Sequence, residues 1–145
     1  MKLDDASWHY GGDYPAHLPE DAASTHMAMF VTWLITRGHE GELHTEECAE
    51  ELSRLHAREI TPRGYFLQCC DEKLTDEDYS EAITGFATSY YDNDYLNDYL
   101  DEFGDDVDSI YEVEDSWASF DRIAPRIDSK YEKWAKKRNA LTRRP

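Results

Sequence analysis

The chain of 145 residues is poor in the residues that staple a fold, span a bilayer or grip phosphate. Cysteine occurs three times, at Cys48, Cys69 and Cys70. The number is odd, the adjacent pair is poorly placed to bridge, and no charged-then-apolar leader opens the chain. A secreted disulfide scaffold is therefore not expected, and a reducing cytoplasm is the expected location. Long apolar runs are also missing. The longest, "MAMFVTWLI" from Met27 to Ile35, falls far short of the ~20 residues that cross a bilayer, so no membrane partner is expected. Basic residues are scarce where acidic ones crowd. Residues 1–70 carry 12 acidic and 5 basic groups, 71–115 carry 17 and 1, and 116–145 carry 3 and 9, giving −7, −16 and +6 of the total −17. The acidic block repels nucleic acid and steers basic partners toward itself. Direct nucleic-acid binding needs clustered Lys and Arg and is not expected. The tail "KWAKKRNALTRRP" is expected to pair with the protein's own acidic face or to extend into solvent.

The motifs of common chemistries are absent as well. There is no C-x-x-C or H-E-x-x-H pair for zinc, no phosphate-cradling glycine loop and no G-x-S-x-G elbow. His39 and His44 lie five apart and read as a loop pair rather than a metal site. An EF-hand begun at Asp101 puts Glu112 at its twelfth position, but Phe103 at the third and Asp106 at the sixth break the pattern. Asp101, Asp105, Asp106 and Asp108 then read as a solvated charged turn. Cys69 and Cys70 are followed by Asp71 and Glu72, which oppose a thiolate, so buried structural thiols are expected. No metal, cofactor or catalytic residue is expected.

What is present is helical periodicity. "LPEDAASTHMAMFVTWLITRG" predicts a core helix with Met29, Phe30, Trp33 and Leu34 inward and a stop at Gly38. "TEECAEELSRLHARE" predicts an amphipathic helix from a Thr45 cap, with Cys48, Leu52 and Leu55 on one stripe. Thr61 and Pro62 open a short helix carrying Phe66, Leu67 and Cys70. Thr75 and Asp78 make a capping-box start for a helix through Tyr79, Ile83, Phe86 and Tyr90. "NDYLNDYLDEFG" predicts the next helix, ending at Gly104. Only "SIYEV" (109–113) has an extended pattern. Phe120, Ile123, Ile127, Tyr131 and Trp134 predict a long final helix that Pro125 kinks or divides. The fold class is mostly α: one compact helical domain over residues 1–138, of about five to six helices, with an irregular glycine-rich N-terminal turn, at most one short extended segment, and a flexible basic tail over 139–145.

Two constellations stand out as candidate sites. The turn "WHYGGDYP" (Trp8–Pro15) makes structural sense, since Gly11 and Gly12 permit positive φ and Pro15 fixes the exit. It also offers His9, Tyr10 and Asp13 as a ligand or interface edge. The second is the acidic block, where Tyr91, Tyr95 and Tyr99 form a helical stripe among Asp92, Asp94, Asp98, Asp101, Asp105 and Asp108. If Leu96, Leu100 and Phe103 turn inward, the stripe is left as aromatic anchors rimmed by carboxylates, a surface suited to a basic protein.

The segments "DDASWHYGGDYP" (Asp4–Pro15), "LPEDAASTHMAMFVTWLITRG" and "CDEKL" together resemble a family of small uncharacterised bacterial proteins that open on the same signature with phenylalanine at the position of Tyr14. The resemblance implies no established activity. It implies genes that lie among bacterial toxin and immunity clusters. The expected function is accordingly a non-enzymatic, acidic protein-binding module, an immunity protein whose partner is a basic cognate toxin or effector. The alternatives are a small ligand-binding protein or enzyme using the N-terminal turn, and a nucleic-acid mimic built on the carboxylates of 92–108.

Overall fold

A computed structural model describes residues 1–10 and 14–142. The fold is mostly α, with one small two-stranded sheet. Helix α1 (Thr25–Thr36) is buried on every side from Thr25 to Ile35 and forms the axis of the molecule. Its all-round apolar character dictates that position, since a helix without a polar face has no side to give to water. The remaining elements wrap it. Helix α2 (Glu42–Glu47) and helix α3 (Ala49–His56) are separated by a break at Cys48, so the single amphipathic helix expected from Thr45 is two. Helix α4 (Pro62–Cys69) starts as the sequence prescribes: the Thr61 side chain accepts from Gly64 N at 3.0 Å, with Pro62 in the first turn. It packs along α1.

Strand β1 (Lys2–Asp5) pairs antiparallel with β2 (Lys73–Thr75), with Asp4 opposite Leu74. The chain enters β2 through Asp71 and Glu72, both left-handed at φ 52° and 58°. Thr75 and Asp78 do form a reciprocal capping box, but it opens a 3-10 turn over Asp76–Asp78 rather than a long helix. Helix α5 (Thr84–Tyr90) passes through a π turn (Tyr91–Tyr95) into helix α6 (Leu96–Phe103). The segment read as extended is a 3-10 turn at Ile110–Glu112, and the pairing strands lie elsewhere. Helix α7 (Trp117–Thr142) runs unbroken through Pro125. Residues 139–142, expected as a flexible tail, continue this helix because Asn139, Ala140, Leu141 and Thr142 contain no breaker.

Helix α7 is clamped to the body by charge. Asp128 accepts from Trp33 Nε1 at 2.8 Å and from Arg37 Nε and Nη2 at 3.0 and 2.9 Å. Arg122 and Arg126 reach Glu102 at 3.1 and 2.9 Å, and Lys130 reaches Asp98 at 3.4 Å. The first half of α7 thus pairs with part of the acidic block, whereas from the tail expected to do so Arg138 Nη1 donates to the Ala82 carbonyl at 2.8 Å.

Candidate functional site

The N-terminal turn belongs to a buried polar hub centred on Asp4. Strand β1 carries this carboxylate inward, where it accepts from Asp5 N at 2.8 Å and from the Tyr91 hydroxyl at 2.5 Å. His9 Nε2 lies 2.7 Å from Asp4 Oδ1, and His26 Nε2 lies 3.1 Å from Oδ2. The two imidazoles meet edge to face with centroids 4.7 Å apart. His9 Nδ1 is 2.7 Å from the Tyr111 hydroxyl. Burial opposes the Asp4 charge, but the hydrogen bonds from His26, His9 and Tyr91 outweigh it and hold the carboxyl well below the usual carboxylate range. Burial pushes His26 below its ordinary pKa against the pull of Asp4. Tyr10 donates to Glu72 at 3.1 Å; burial and that carboxylate push its phenol up to about 12. His9 and Tyr10 therefore face inward rather than presenting an open edge, and Asp13 lies outside the described residues. Trp8 is 57% exposed, with Lys2 over its ring.

On α5–α6 Phe103 is buried as expected, but the orientation expected of the leucines and tyrosines is reversed. Tyr91, Tyr95 and Tyr99 are buried, and Leu96 and Leu100 are 39% and 48% exposed. The tyrosine stripe is therefore not a set of surface anchors. Its rings pack inward, Tyr91 and Tyr95 against Phe30 at 5.2 and 5.3 Å, while the Tyr95 hydroxyl donates to the His26 carbonyl at 2.7 Å. A phenol is as good a core residue as leucine once its hydroxyl finds a partner. Asp98 is also removed from the surface set, because it is buried and accepts from the Tyr90 hydroxyl at 2.7 Å. Asp92, Asp94, Asp101, Asp105 and Asp108 are exposed as expected. The outer face thus bears two leucines, one helical turn apart, inside a field of carboxylates.

A second acidic feature adjoins it. A cleft of about 590 Å³ is lined by Glu40, Glu42, Glu46, Glu47, Asp76, Glu77 and Glu81, with Tyr79 at its wall. Asp92 lies near enough to contribute to the raised pKa of Tyr79, after burial, Asp76 and Asp78.

The histidines and cysteines collect in places that their spacing does not reveal. His39 stacks near Trp33 and Tyr131, whereas His44 is buried with Nδ1 2.5 Å from the Tyr65 hydroxyl and Nε2 2.9 Å from Asp78 Oδ1. The two do not share a site. Cys70 is buried and donates to Asp78 at 3.6 Å; Cys48 and Cys69 are half-buried rather than fully so. Burial and the neighbouring Cys48 push the Cys69 thiol up to about 12, the state of an unactivated thiol. Among the described residues, three sets of potential metal ligands converge within 4.8 Å: Asp4, His9 and His26; His44, Cys70 and Asp78; Cys48, Glu51 and Cys69. Asp101, Asp105, Asp106 and Asp108 form no such set. No helix among the described residues is long and apolar enough to cross a membrane.

A family model described as "Domain of unknown function (DUF7832)" matches residues 2–113, from β1 to the residue after the last 3-10 turn. No curated protein and no solved structure matches the chain.

Proposed function

Because the chain belongs to the DUF7832 family, whose description carries no activity, we propose a function from its own surface: a non-enzymatic, acidic protein-binding module, acting as an immunity protein that neutralises a basic toxin by binding it. The observation that supports this reading is the placement of Leu96 and Leu100. They are two of four large hydrophobic residues exposed among those described, and they lie in the segment of charge −16. Apolar anchors supply affinity once desolvated, and the carboxylates around them supply steering and rejection of acidic partners. The internal use of Asp98, Glu102 and Asp106 by α7 leaves Asp92, Asp94, Asp101, Asp105 and Asp108 available to a partner's Lys and Arg.

The test combines retention and rescue. Tagged protein captures partners from its native lysate at low and high salt, beside a Leu96→Asp/Leu100→Asp variant, and the retained basic protein is co-expressed with each. The reading expects one basic protein held by the native chain, lost from the variant, and toxic to cells only when the native chain is absent. Equal retention by both chains, or toxicity that the native chain does not relieve, overturns it.

A further inference from the structure

We propose that Asp4, His9 and His26 form a binding site for one divalent transition-metal ion of borderline hardness, with zinc as its representative. Two imidazole nitrogens and a carboxylate are the donor set that such ions take. Here they reach one point from three separate parts of the chain: β1, the turn after it, and the first turn of α1.

The geometry is close to that of a loaded site. Bonds of ~2.1 Å to a four-coordinate ion put neighbouring ligand atoms about 3.4 Å apart. His9 Nε2 and His26 Nε2 stand 2.7 and 3.1 Å from the two oxygens of Asp4, and all three ligand atoms lie within 4.8 Å of one another. Ring and carboxylate shifts of less than about an ångström make room for the ion. The rings are inclined by 72°, so their nitrogens approach from different directions, as a non-planar coordination shell requires.

The bonds around the ligands suit an ion. With Nε2 on the ion, the N–H of His9 lies at Nδ1 and donates to the Tyr111 oxygen 2.7 Å away. Asp5 N and the Tyr91 hydroxyl hold the carboxylate, so the ligands have an outer shell that fixes their aim.

His26 is fully buried, and Asp4 is its hydrogen-bond partner at Nε2. One hydrogen bond to a carboxylate is small compensation for sealing an imidazole away from water. A metal bond at Nε2 is a much larger one. His9, with 15% of its side chain exposed, provides the route from solvent.

The full chain, stripped with chelator, is titrated with Zn²⁺ by calorimetry and with Co²⁺ by visible spectroscopy at pH 7. The expected result is one ion per chain, a rise in the thermal midpoint, and cobalt d–d bands without sulfur-to-metal charge transfer. His9→Gln should weaken binding more than the ~10–100-fold typical of an outer-shell loss, and Tyr111→Phe should weaken it within that range. A variant with Ser at Cys48, Cys69 and Cys70 should bind as the native chain does. Failure of both ions to bind at about 100 µM overturns the proposal. So does a sulfur charge-transfer band, or binding lost on replacing the cysteines and kept by His9→Gln. The native cobalt spectrum reads the ligand type directly, independent of whether any variant folds.

Discussion

Tyr95 and Tyr99 lie four residues apart on one helix face, both with no exposed surface, and differ in a single hydrogen bond. The Tyr95 hydroxyl donates to the His26 carbonyl, while that of Tyr99 is buried with no partner among the described residues. Tyr95→Phe should therefore cost about 1 kcal/mol in urea unfolding, and Tyr99→Phe should be neutral or stabilising by a similar amount. The opposite order would place the hydroxyls differently from the structure. His26 gives a pH dependence of known sign. Its folded pKa lies below the ordinary value of 6.5, as does that of half-buried His39. The unfolded chain takes up protons that the folded chain refuses, so this contribution is complete above about pH 7 and is lost as pH falls through 6 toward the folded values. Unfolding midpoints measured from pH 7.5 to 5.5 should fall. His26→Gln should flatten the slope, and an unchanged slope would mean that His26 is not the group responsible.

Individual elements were legible in the sequence where one residue has one use. Thr61 with Pro62 marks a helix start, the apolar-rich run Met27–Ile35 marks a core helix, and Thr75 with Asp78 marks a capping box, although that box opens a 3-10 turn and not the helix expected. The face of α5–α6 was not legible, because two stripes compete. Tyr91, Tyr95, Tyr99 and Phe103 repeat at intervals of four, and Leu96 and Leu100 repeat at the same interval one residue later. Periodicity alone cannot rank phenol against leucine. The π turn at Tyr91–Tyr95 settles the phase by inserting its wider turn between α5 and α6, which keeps Tyr90 and Tyr91 both inward. Strand β1 was invisible for another reason: "KLDD" has no strand propensity, and its pairing with residues 73–75 is imposed from across the fold. The same remoteness hid the Asp4 set, whose members stand at 4, 9 and 26 and lack any motif spacing. At the crossing between Gly41 and Glu77, a Cβ on Gly41 would lie 2.1 Å from the Glu77 carbonyl oxygen. Gly41→Ala must push these backbones apart, and with them the segments that bear His44 and Asp78. A loss of about 1–3 kcal/mol in chemical denaturation is expected; no loss would argue against that close approach.

At the scale of the whole molecule, charge sets the behaviour in solution. Ion pairs such as Arg58 with Asp121 are largely exposed and individually weak. The repulsion among groups summing to −17 acts over a longer range. Raising ionic strength from ~0.01 to ~0.15 M shortens the Debye length from about 30 to about 8 Å, so it screens the repulsion more than the short pairs. The thermal midpoint should rise with added sodium chloride. A fall would mean that the pairs binding α7 to the body outweigh the excess acid.

The polar hub ties together residues 4, 9, 26, 91 and 111, so its closure waits on contacts between nearly the two ends of the matched segment. Loops of that length close slowly, and little rewards them until the last member arrives. The amides of α1 beneath the hub then have no private way of opening. Their hydrogens should exchange with solvent only when the entire chain comes apart, while those of the exposed C-terminal turns of α7 exchange freely.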